Sequence, residues 1–429
     1  MTIRDTRMNP IAVNLSREKI NQISYKFGDS FYVLDAREFE LRFKELLKEF
    51  RNYYSKTQIA YSYKTNYIPR LCELVDKLGG FAEVVSDMEC KLARKVGVSA
   101  SNIYFNGPYK TFKSIEDLLL DGGIVNADSH TDLDAILKLA QIHSEKNFRI
   151  GVRCNFDIRD DVVSRFGFNL ENGDLHNAFD SLHGAANITV EVLHCHFASR
   201  SLDAWENATS GMLRLLSDFY SKFSCWPKSV SLGGGLYGPM HPHLMGQLKI
   251  DPPSFADYAL IAAKPFEKFF EEYPQEERPT LIIEPGTALA ANSLKFFAKV
   301  VSIKKVGSKN IATVSGSHFN TNATSSSISL PMSVISMSEN SYTEEFSDID
   351  IAGYTCIEGD YLFRGYEGKV SEGDFVVFDS AGSYSVVMKP PFILPQVPIL
   401  ELGEDDELRI VKRQESFEDI FQTYQINTR

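Results

Sequence analysis

The feature that most constrains this chain is a regular alternation of short apolar segments with longer amphipathic ones, from about Phe31 to Pro285. The short segments are rich in β-branched and aromatic residues, whereas long ones such as Arg37–Tyr53 repeat apolar residues at helical spacing. A strand followed by a helix, repeated over roughly 250 residues, is typical of an eight-stranded β/α barrel. A doubly wound open sheet would give almost the same pattern, but the number of strand candidates favours the barrel.

These strand candidates are bounded by turn residues or followed by helical patterns. In chain order they are Phe31–Leu34, Gln58–Tyr63, Ala82–Val85, Ile103–Phe105, Gly123–Val125, Phe148–Val152, Val190–Leu193, Val230–Leu232 and Thr280–Ile283. Among the helical patterns, Ser129–Gln141 opens on the capping residues Asp128 and Ser129.

After Ala290 the pattern changes, because helical periodicity becomes scarce and short β-rich runs are separated by turn residues. Such runs are Ala298–Ser302, Asn310–Val314 and Asp374–Phe378. They predict a C-terminal antiparallel β domain. The polar stretch Ser315–Ser329 and the acidic stretch Glu401–Glu407 are predicted to be loops.

The expected organisation is therefore α/β plus β. We expect an N-terminal segment over 1–30 that pairs with the β domain, a barrel over 31–288 and the β domain over 289–429. A chain of 429 residues, 43% of them hydrophobic, has the size and the apolar content that two or three domains require.

Charge and cysteine content exclude some classes of protein. A net charge of −12 argues against a nucleic-acid partner, because phosphate binding needs a surplus of lysine and arginine. Six cysteines without a CxxC pair give neither a disulfide framework nor a zinc spacing. The first residues lack the apolar core of a signal peptide, and no uncharged apolar run has the length of a membrane span. We expect a reduced, cytoplasmic protein without a membrane partner.

Residues suited to chemistry follow several of the predicted strands. Lys64 follows the second strand, His194 and His196 the seventh, Gly233–Gly235 the eighth and Glu284 the ninth. Barrel enzymes work at the carboxyl ends of their strands, so these residues are expected to converge on one mouth. A desolvated lysine amine suits covalent attachment of a carbonyl compound, and bare glycine backbone can cradle a phosphate.

The two histidines also allow a metal-binding reading. His194 and His196 are two apart, so on a strand they share a face. A barrel hydrolase would need further ligands at other strand ends, and the other clustered histidines, His241 and His243, lie in a predicted loop. The whole set, in contrast, suits pyridoxal phosphate: a lysine for attachment, an acid for the pyridine nitrogen, a histidine for the ring and glycines for the phosphate. We therefore predict no metal site.

Ordered motifs across most of the chain support this interpretation. They are Tyr63–Asn66, Glu83–Ser86 with Glu89, Ile103–Lys110, Ala127–Ser129, Val152–Arg153, Ser164–Gly167, His196–Ser199, Gly233–Gly235, Glu284–Gly286, Cys356–Asp360 and Gly382–Tyr384. On these motifs the chain resembles the fold-type III pyridoxal-phosphate decarboxylases, the ornithine, diaminopimelate and arginine decarboxylase group. The resemblance implies a carboxy-lyase that acts on an amino-acid-like small molecule, with a pyridoxal-phosphate-binding TIM barrel before the β domain.

The resemblance also implies roles for individual residues. Lys64 would attach the cofactor, His196 would stack on its ring, and Glu284 would face the pyridine nitrogen. Cys356 would act as a catalytic residue in the partner subunit's site, across the interface of a head-to-tail homodimer with shared sites. The remaining cofactor candidates are Glu83, Arg153, Ser199, Gly234, Gly235, Gly286, Thr287 and Tyr384. The substrate candidates are Glu358 and Asp360.

Four departures from the family pattern bear on the substrate. Thr287 replaces the arginine of the usual Glu-Pro-Gly-Arg, and Ile357 replaces the acid that often follows the cysteine. Leu330–Pro331 stands where diaminopimelate decarboxylases carry Arg-Pro, and Ala198 replaces a glycine. Without the clamp on a distal carboxylate, free ornithine, lysine and diaminopimelate are poor candidates. We expect an atypical amino acid or an amino-carboxyl conjugate, as in siderophore or peptide-antibiotic biosynthesis.

Two alternatives stay open on the sequence. An amino-acid racemase shares the barrel but usually places an arginine at the pyridine nitrogen, which Glu284 argues against. A catalytically inactive relative with a binding or regulatory role would not need to keep Lys64, His196 and Cys356 together.

Overall fold

The computed structural model describes residues 15–160, 163–321, 327–338, 344–403 and 407–426. They form two compact units. The barrel unit comprises Glu40–Pro239 and Asp251–Leu289, and the β unit comprises the described parts of Met1–Phe39, Met240–Ile250 and Ala290–Arg429. Residues 1–14 of the predicted N-terminal segment lie outside the described residues, and the domain boundaries stay a prediction.

The strands and helices alternate through the first two thirds of the chain. The strands are β1 (Ser30–Leu34), β2 (Thr57–Ser62), β3 (Phe81–Val84), β4 (Ile103–Phe105), β5 (Ile124–Ala127), β6 (Phe148–Asn155), β7 (Phe168–Asn169), β8 (Ile188–His194), β9 (Ser229–Ser231), β10 (Thr280–Ile283), β11 (Leu294–Val306), β12 (Lys309–Val314), β13 (Met332–Ile335), β14 (Glu345–Ala352), β15 (Tyr361–Lys369), β16 (Phe375–Phe378), β17 (Ile399–Leu402) and β18 (Leu408–Lys412). The helices are α1 (Arg17–Phe27), α2 (Ala36–Arg51), α3 (Pro69–Lys77), α4 (Asp87–Lys95), α5 (Phe112–Leu120), α6 (His130–Ile142), α7 (Asp174–His183), α8 (Leu202–Phe223), α9 (Pro242–Leu248), α10 (Phe255–Phe269), α11 (Thr287–Ala290), α12 (His318–Thr321) and α13 (Phe417–Phe421).

The barrel unit is a closed parallel sheet. Strands β2, β3, β4, β5, β6, β8, β9 and β10 pair in this order, and β10 pairs back onto β2. The two-residue strand β7 adds to β6 outside this ring. Closure confirms the barrel and rules out the open doubly wound sheet. The carboxyl ends of all eight strands therefore lie at one mouth.

Serine caps begin several of the barrel helices. The side-chain oxygens of Ser86, Ser129, Ser201 and Ser254 accept backbone N–H bonds at the starts of α4, α6, α8 and α10. Each cap satisfies an N–H group that has no partner inside its helix. The chain therefore turns from strand to helix at sequence-defined points, which fixes the residues between them at the barrel mouth.

The β unit is built on a mixed sheet. Its main path runs β15–β14–β12–β11–β1–β17–β18, and β16 and β13 extend it from β11. Most pairs are antiparallel, but β1 with β17 and β12 with β14 run parallel. The fold class predicted from the sequence, a barrel with a β domain, is confirmed, and the parallel pairs make the sheet mixed instead of purely antiparallel.

The first strand candidate belongs to this sheet and not to the barrel. Strand β1 pairs antiparallel with β11, with Phe31 opposite Phe297, and its buried side chains join a cluster with Ile20 and Ile23 of α1. Its apolar pattern correctly predicted a strand, but pairing with distant partners decides which sheet receives it. The eight strand candidates that follow it form the barrel.

Two predicted loops contain regular structure. The stretch Ser315–Ser329 includes helix α12, and Ser317 and Asn320 are fully buried there; residues 322–326 lie outside the described residues. In the stretch Glu401–Glu407, Glu401 and Leu402 end β17, and residues 404–406 lie outside the described residues. Among the described residues, no helix combines the length and the apolar character needed to cross a membrane.

Candidate active site

Lys64 lies in a short 3₁₀ helix, Tyr63–Thr65, directly after β2. Its Nζ donates to Ser62 Oγ at 2.7 Å and forms an ion pair with Glu83 Oε2 at the end of β3. The Lys64 side chain is 32% exposed, whereas that of Glu83 is 1% exposed. The amine is therefore accessible from the mouth, and its counter-charge is buried beneath it.

Glu284 follows β10 and is fully enclosed by neutral and imidazole donors. Its Oε1 accepts from Ser231 Oγ at 2.7 Å and from Asn106 Nδ2 at 3.0 Å. Its Oε2 lies 3.2 Å from His194 Nε2. Three side chains from three other strand ends thus fix both carboxylate oxygens.

These contacts decide the ionisation of Glu284. Burial alone would raise its pKa, but the charge and hydrogen bond of His194, together with the charge of Lys64, lower the pKa below its usual value. Glu284 is therefore a carboxylate at neutral pH. A fixed buried carboxylate of this kind can keep a neighbouring basic nitrogen protonated.

Asn106 joins the two carboxylates of the site. Its amide nitrogen lies 3.2 Å from Glu83 Oε1 and 3.0 Å from Glu284 Oε1, and its own oxygen accepts a bond from Asn126. Asn106, Ser62 and Ser231 were not predicted as site residues. Ser62 and Ser231 stand at strand ends, where small polar residues also make ordinary turns. Asn106 lies inside the motif Ile103–Lys110, which did not single it out.

His196 has a neutral, fixed ring. Its Nδ1 accepts a hydrogen bond from Gly234 N at 3.0 Å. Burial, followed by the nearby charges of Lys64 and Arg153, lowers the pKa of His196 to about 3. The imidazole is therefore uncharged at neutral pH, as suits a ring that stacks on another planar group.

The glycines after β9 pack so closely against neighbouring backbone that a side chain would clash there. A Cβ on Gly234 would lie 2.4 Å from Glu284 O, and one on Gly235 would lie 2.7 Å from Ser199 O. Gly235 also has a φ of +88°, a conformation that L residues with a side chain rarely adopt. Gly286 shows the same crowding, since its Cβ would lie 2.0 Å from Thr65 Oγ1.

Two of these glycines present free backbone donors. The amide nitrogens of Gly235 and Gly286 donate to no atom of the described residues. Ser199 and Thr287, on the segments beside them, are half-exposed. Backbone amides without a protein partner are suited to a bound anion.

Arg153, at the end of β6, is already neutralised. Its guanidinium bonds to Asp128 at 3.0 Å and lies 4.5 Å from the centroid of the Phe166 ring. A longer contact of 3.4 Å joins it to the carbonyl oxygen of His196. Arg153 therefore supports the His196 segment, and its predicted cofactor contact stays a prediction.

The Cys356 loop, Cys356–Asp360, lies in the β unit and contains both exposed and buried residues. Cys356 and Glu358 are exposed, whereas Asp360 is buried. The Asp360 carboxylate accepts bonds from Ser317 Oγ, from the backbone and Nδ1 of His318, and from the backbone and Oγ1 of Thr355. Asp360 therefore holds the loop, and the predicted substrate contacts of Asp360 and Glu358 stay predictions.

Tyr384 also lies in the β unit. It has a φ of +55°, which is uncommon for an aromatic residue and marks a strained turn. Gly382, two residues before it, lies so close to Ala290 that a Cβ would be 1.8 Å from the Ala290 carbonyl oxygen. The predicted phosphate role of Tyr384 stays a prediction.

The contacts of His194 and His196 do not support a shared metal site. His194 bonds to Glu284 and His196 bonds to Gly234, so their side chains have different partners. In the described part of the chain, no three or more histidine, cysteine, aspartate or glutamate residues are grouped as metal ligands would be.

A family model and full-length relatives match this chain. Residues 38–291, more than half of the chain, match the model described as "Pyridoxal-dependent decarboxylase, pyridoxal binding domain". A probable chloroplastic diaminopimelate decarboxylase of Oryza sativa subsp. japonica is 29% identical over 379 residues, covering 84% of this chain and 73% of that protein. The L-glutamyl-[BtrI acyl-carrier protein] decarboxylase of Niallia circulans is 25% identical over 435 residues, covering 96% of this chain and 97% of that protein.

A solved structure shares the same fold. The diaminopimelate decarboxylase of M. jannaschii superposes with a TM-score of 0.83, at 21% identity, and covers 95% of this chain and 94% of that chain. At this identity the likeness establishes the fold, a barrel with a β domain.

The residues at the barrel mouth fit pyridoxal phosphate. Lys64 offers an accessible amine, and the carboxylate of Glu284 is suited to a protonated pyridine nitrogen. The free amides of Gly235 and Gly286 are suited to the phosphate oxygens. Each chemical part of the cofactor thus has a complementary group in the barrel unit.

Proposed function

Because the chain belongs to the pyridoxal-dependent decarboxylase family, we propose that it decarboxylates an amino acid whose distal end is part of a larger conjugate. The chain is a carboxy-lyase that uses pyridoxal phosphate, as its sequence predicted. When bound, the cofactor supplies an electron sink that stabilises the negative charge left on the substrate after loss of carbon dioxide. Siderophore and peptide-antibiotic biosynthesis are the settings we favour.

The chain's own residues prepare this chemistry. Lys64 would attach the cofactor, and Glu83, with Ser62, would orient the amine until attachment. Glu284 would hold a proton at the pyridine nitrogen, because its own pKa is lowered and its oxygens are fixed. His196 would pack its uncharged ring against the cofactor.

The other residues predicted from the sequence would complete the site. Ser199, Gly234, Gly235, Gly286, Thr287 and Tyr384 would serve the phosphate side, and Arg153 would be a secondary contact. Cys356 would return a proton to the substrate carbon, and Glu358 would contact the substrate. Both are exposed, which leaves them accessible to a second protomer. We propose a head-to-tail homodimer with shared sites on this basis.

The single observation that carries the substrate proposal is the stretch Leu330–Pro331. Leu330 is buried in the β unit and carries no charge, where diaminopimelate decarboxylases have Arg-Pro. A distal carboxylate would lose its bidentate partner there. Ile357 in place of an acid removes a partner for a distal amine. Neither free diaminopimelate nor free ornithine would be held firmly at its far end.

The relative that acts on an L-glutamyl-[BtrI acyl-carrier protein] supports the conjugate. It matches nearly the whole length of both chains, and its name gives an aminoacyl group on a carrier protein as its substrate. We extend that substrate class to this chain: an amino acid joined through its distal carboxyl to a carrier or a small conjugate. The six unpaired cysteines support a reducing compartment, and we propose the cytoplasm.

A substrate comparison tests this proposal. The rate of carbon dioxide release is measured from free ornithine, lysine, diaminopimelate and glutamate, and from a γ-glutamyl thioester on a carrier protein or on pantetheine. We expect turnover of the thioester and little turnover of the free amino acids, with Lys64→Ala as the inactive control. Fast turnover of any of these free amino acids would contradict the conjugate.

A further inference from the structure

We propose that Arg200 supplies the positive charge for the phosphate of the cofactor, in place of the arginine that Thr287 replaces. Arg200 lies beside Ser199, in the segment between β8 and α8. This inference rests on pyridoxal phosphate as the cofactor and is independent of the proposed substrate.

Two other cations at the barrel mouth are already paired. Lys64 is paired with Glu83, and Arg153 is paired with Asp128. The guanidinium of Arg200, in contrast, makes no hydrogen bond or ion pair with any described residue. A phosphate dianion that enters the mouth would therefore find Arg200 available.

Two aromatic residues fix the position of Arg200. The hydroxyl of the buried Tyr258 donates to Arg200 O at 2.6 Å and accepts from Tyr237 N at 3.3 Å. The Arg200 guanidinium carbon lies 5.2 Å from the centroid of the Tyr237 ring. A cation–π contact of this kind holds the guanidinium near the ring and leaves its N–H groups available to an anion.

We call the segments proposed to bind the phosphate, Ser199 with Gly235 and Gly286 with Thr287, the phosphate cradle. The loop that carries Tyr237 contacts both sides of this cradle. On one side, Gly235 packs so closely on Ser199 that a Cβ would lie 2.7 Å from the Ser199 carbonyl oxygen. On the other side, a Cβ on Gly238 would lie 2.5 Å from Ala288 O, next to Thr287. Arg200 thus contacts a loop that packs against both the Ser199 segment and the Thr287 turn.

The test compares the affinity of the protein for pyridoxal phosphate and for pyridoxal. Cofactor-free protein is titrated with each compound, and binding is followed by absorbance. Arg200→Gln should weaken binding of pyridoxal phosphate by about 10- to 100-fold, because a hydrogen-bonded charge partner of the phosphate is lost. Binding of pyridoxal, which has no phosphate, should stay within about twofold of the wild type. Arg214→Gln, an exposed change on α8, is the matched control.

A second pair of variants separates a role in charge from a role in folding. Arg200→Gln combined with Thr287→Arg should recover affinity for pyridoxal phosphate, because the new arginine lies on the other side of the same cradle. Arg200→Lys, which keeps the charge without the planar fork, should lose less affinity than Arg200→Gln and serves as the test if Arg200→Gln does not fold.

Two results would overturn the inference. One is unchanged affinity of Arg200→Gln, or of Arg200→Lys if only that variant folds, for pyridoxal phosphate. The other is an equal loss of affinity for pyridoxal phosphate and pyridoxal, which would indicate a structural role. Pyridoxal phosphate that fails to bind the wild-type protein would instead contradict the cofactor itself, and the substrate comparison above would still report on the conjugate separately.

Discussion

The barrel mouth and the Cys356 loop differ in how their candidate side chains are held. At the mouth, Lys64 pairs with Glu83, and Glu284 accepts hydrogen bonds from Asn106 and Ser231. All of these partners belong to the barrel unit. In the loop, the buried acid Asp360 accepts hydrogen bonds from the loop and from α12, whereas Cys356 and Glu358 are exposed. The side chains of the mouth are thus fixed by their own unit, whereas Cys356 and Glu358 are exposed at its surface.

The first prediction concerns the organised region and has the largest expected effect. Glu284→Gln keeps the shape of the side chain but removes its charge, so kcat should fall by about 10²–10³-fold. Covalent attachment of the cofactor should persist, and the absorbance of the bound cofactor should change because its pyridine nitrogen loses the proton. The loop counterpart, Glu358→Gln, should raise KM more than it lowers kcat. A Glu284→Gln enzyme with wild-type kcat would contradict the role of the Glu284 charge at the mouth.

The second prediction concerns the exposed region. Cys356→Ser should lower kcat by about 10²-fold, because a positioned proton donor is lost. Cys225→Ser, which alters the other exposed cysteine, should have wild-type kcat.

Mixed dimers sharpen this prediction. Cys356→Ser mixed with inactive Lys64→Ala should recover about one quarter of the wild-type activity, because half of randomly formed dimers carry one intact shared site. Mixtures that stay inactive after demonstrated subunit exchange would contradict sites shared between protomers.

The third prediction concerns Asn106, a positioning residue that donates to both carboxylates of the mouth. Asn106→Leu should lower kcat by about 10- to 100-fold, because hydrogen bonds to charged groups are lost. The absorbance of the bound cofactor should also change its pH dependence, since Glu284 loses a donor. Asn52→Leu, at an exposed site directly after α2, is the control. An unchanged pH dependence would limit Asn106 to a structural role.

The fourth prediction concerns stability and has the smallest effect. Burial raises the pKa of Glu89 to about 7, although the carboxylate accepts a bond from Val85 N at 2.7 Å. The unfolded chain releases this proton near pH ~4.3, so the native state holds more protons between that pH and 7. This group therefore makes the native state less stable as pH rises through the window.

Glu89→Gln removes this pH dependence. Relative to the wild type, its free energy of unfolding should be little changed at pH 4.5 and higher by about 1–3 kcal/mol at pH 8. Urea unfolding at both pH values measures the difference, with the exposed Glu145→Gln as the control. A difference that does not grow with pH would show that Glu89 titrates normally.

The sequence was informative where a residue's role depends on its neighbours along the chain. The β/α alternation predicted the barrel, and Lys64, His196 and Glu284 became candidates because they follow strands whose carboxyl ends meet. Strand β1 was assigned to the wrong sheet because an apolar strand looks the same in either one. Asn106 was missed because its importance comes from two carboxylates that are 23 and 178 residues away.

The distinction between Asp360 and Glu358 shows the same limit. Both are acids of one short loop, and only tertiary contacts decide which is buried. Asp360 is buried by residues of α12, a helix that lies in a stretch predicted to be a polar loop. Burial of a side chain by a distant segment is not encoded in local pattern.

The most direct test of the central claim is to locate the cofactor on the chain. The protein is purified with pyridoxal phosphate, reduced with borohydride to fix any link to an amine, digested and examined by peptide mass spectrometry. The account predicts the phosphopyridoxyl group on the peptide that contains Lys64, and its loss in Lys64→Ala. A label confined to another lysine, or an unlabelled protein that cannot be loaded with the cofactor, would contradict it.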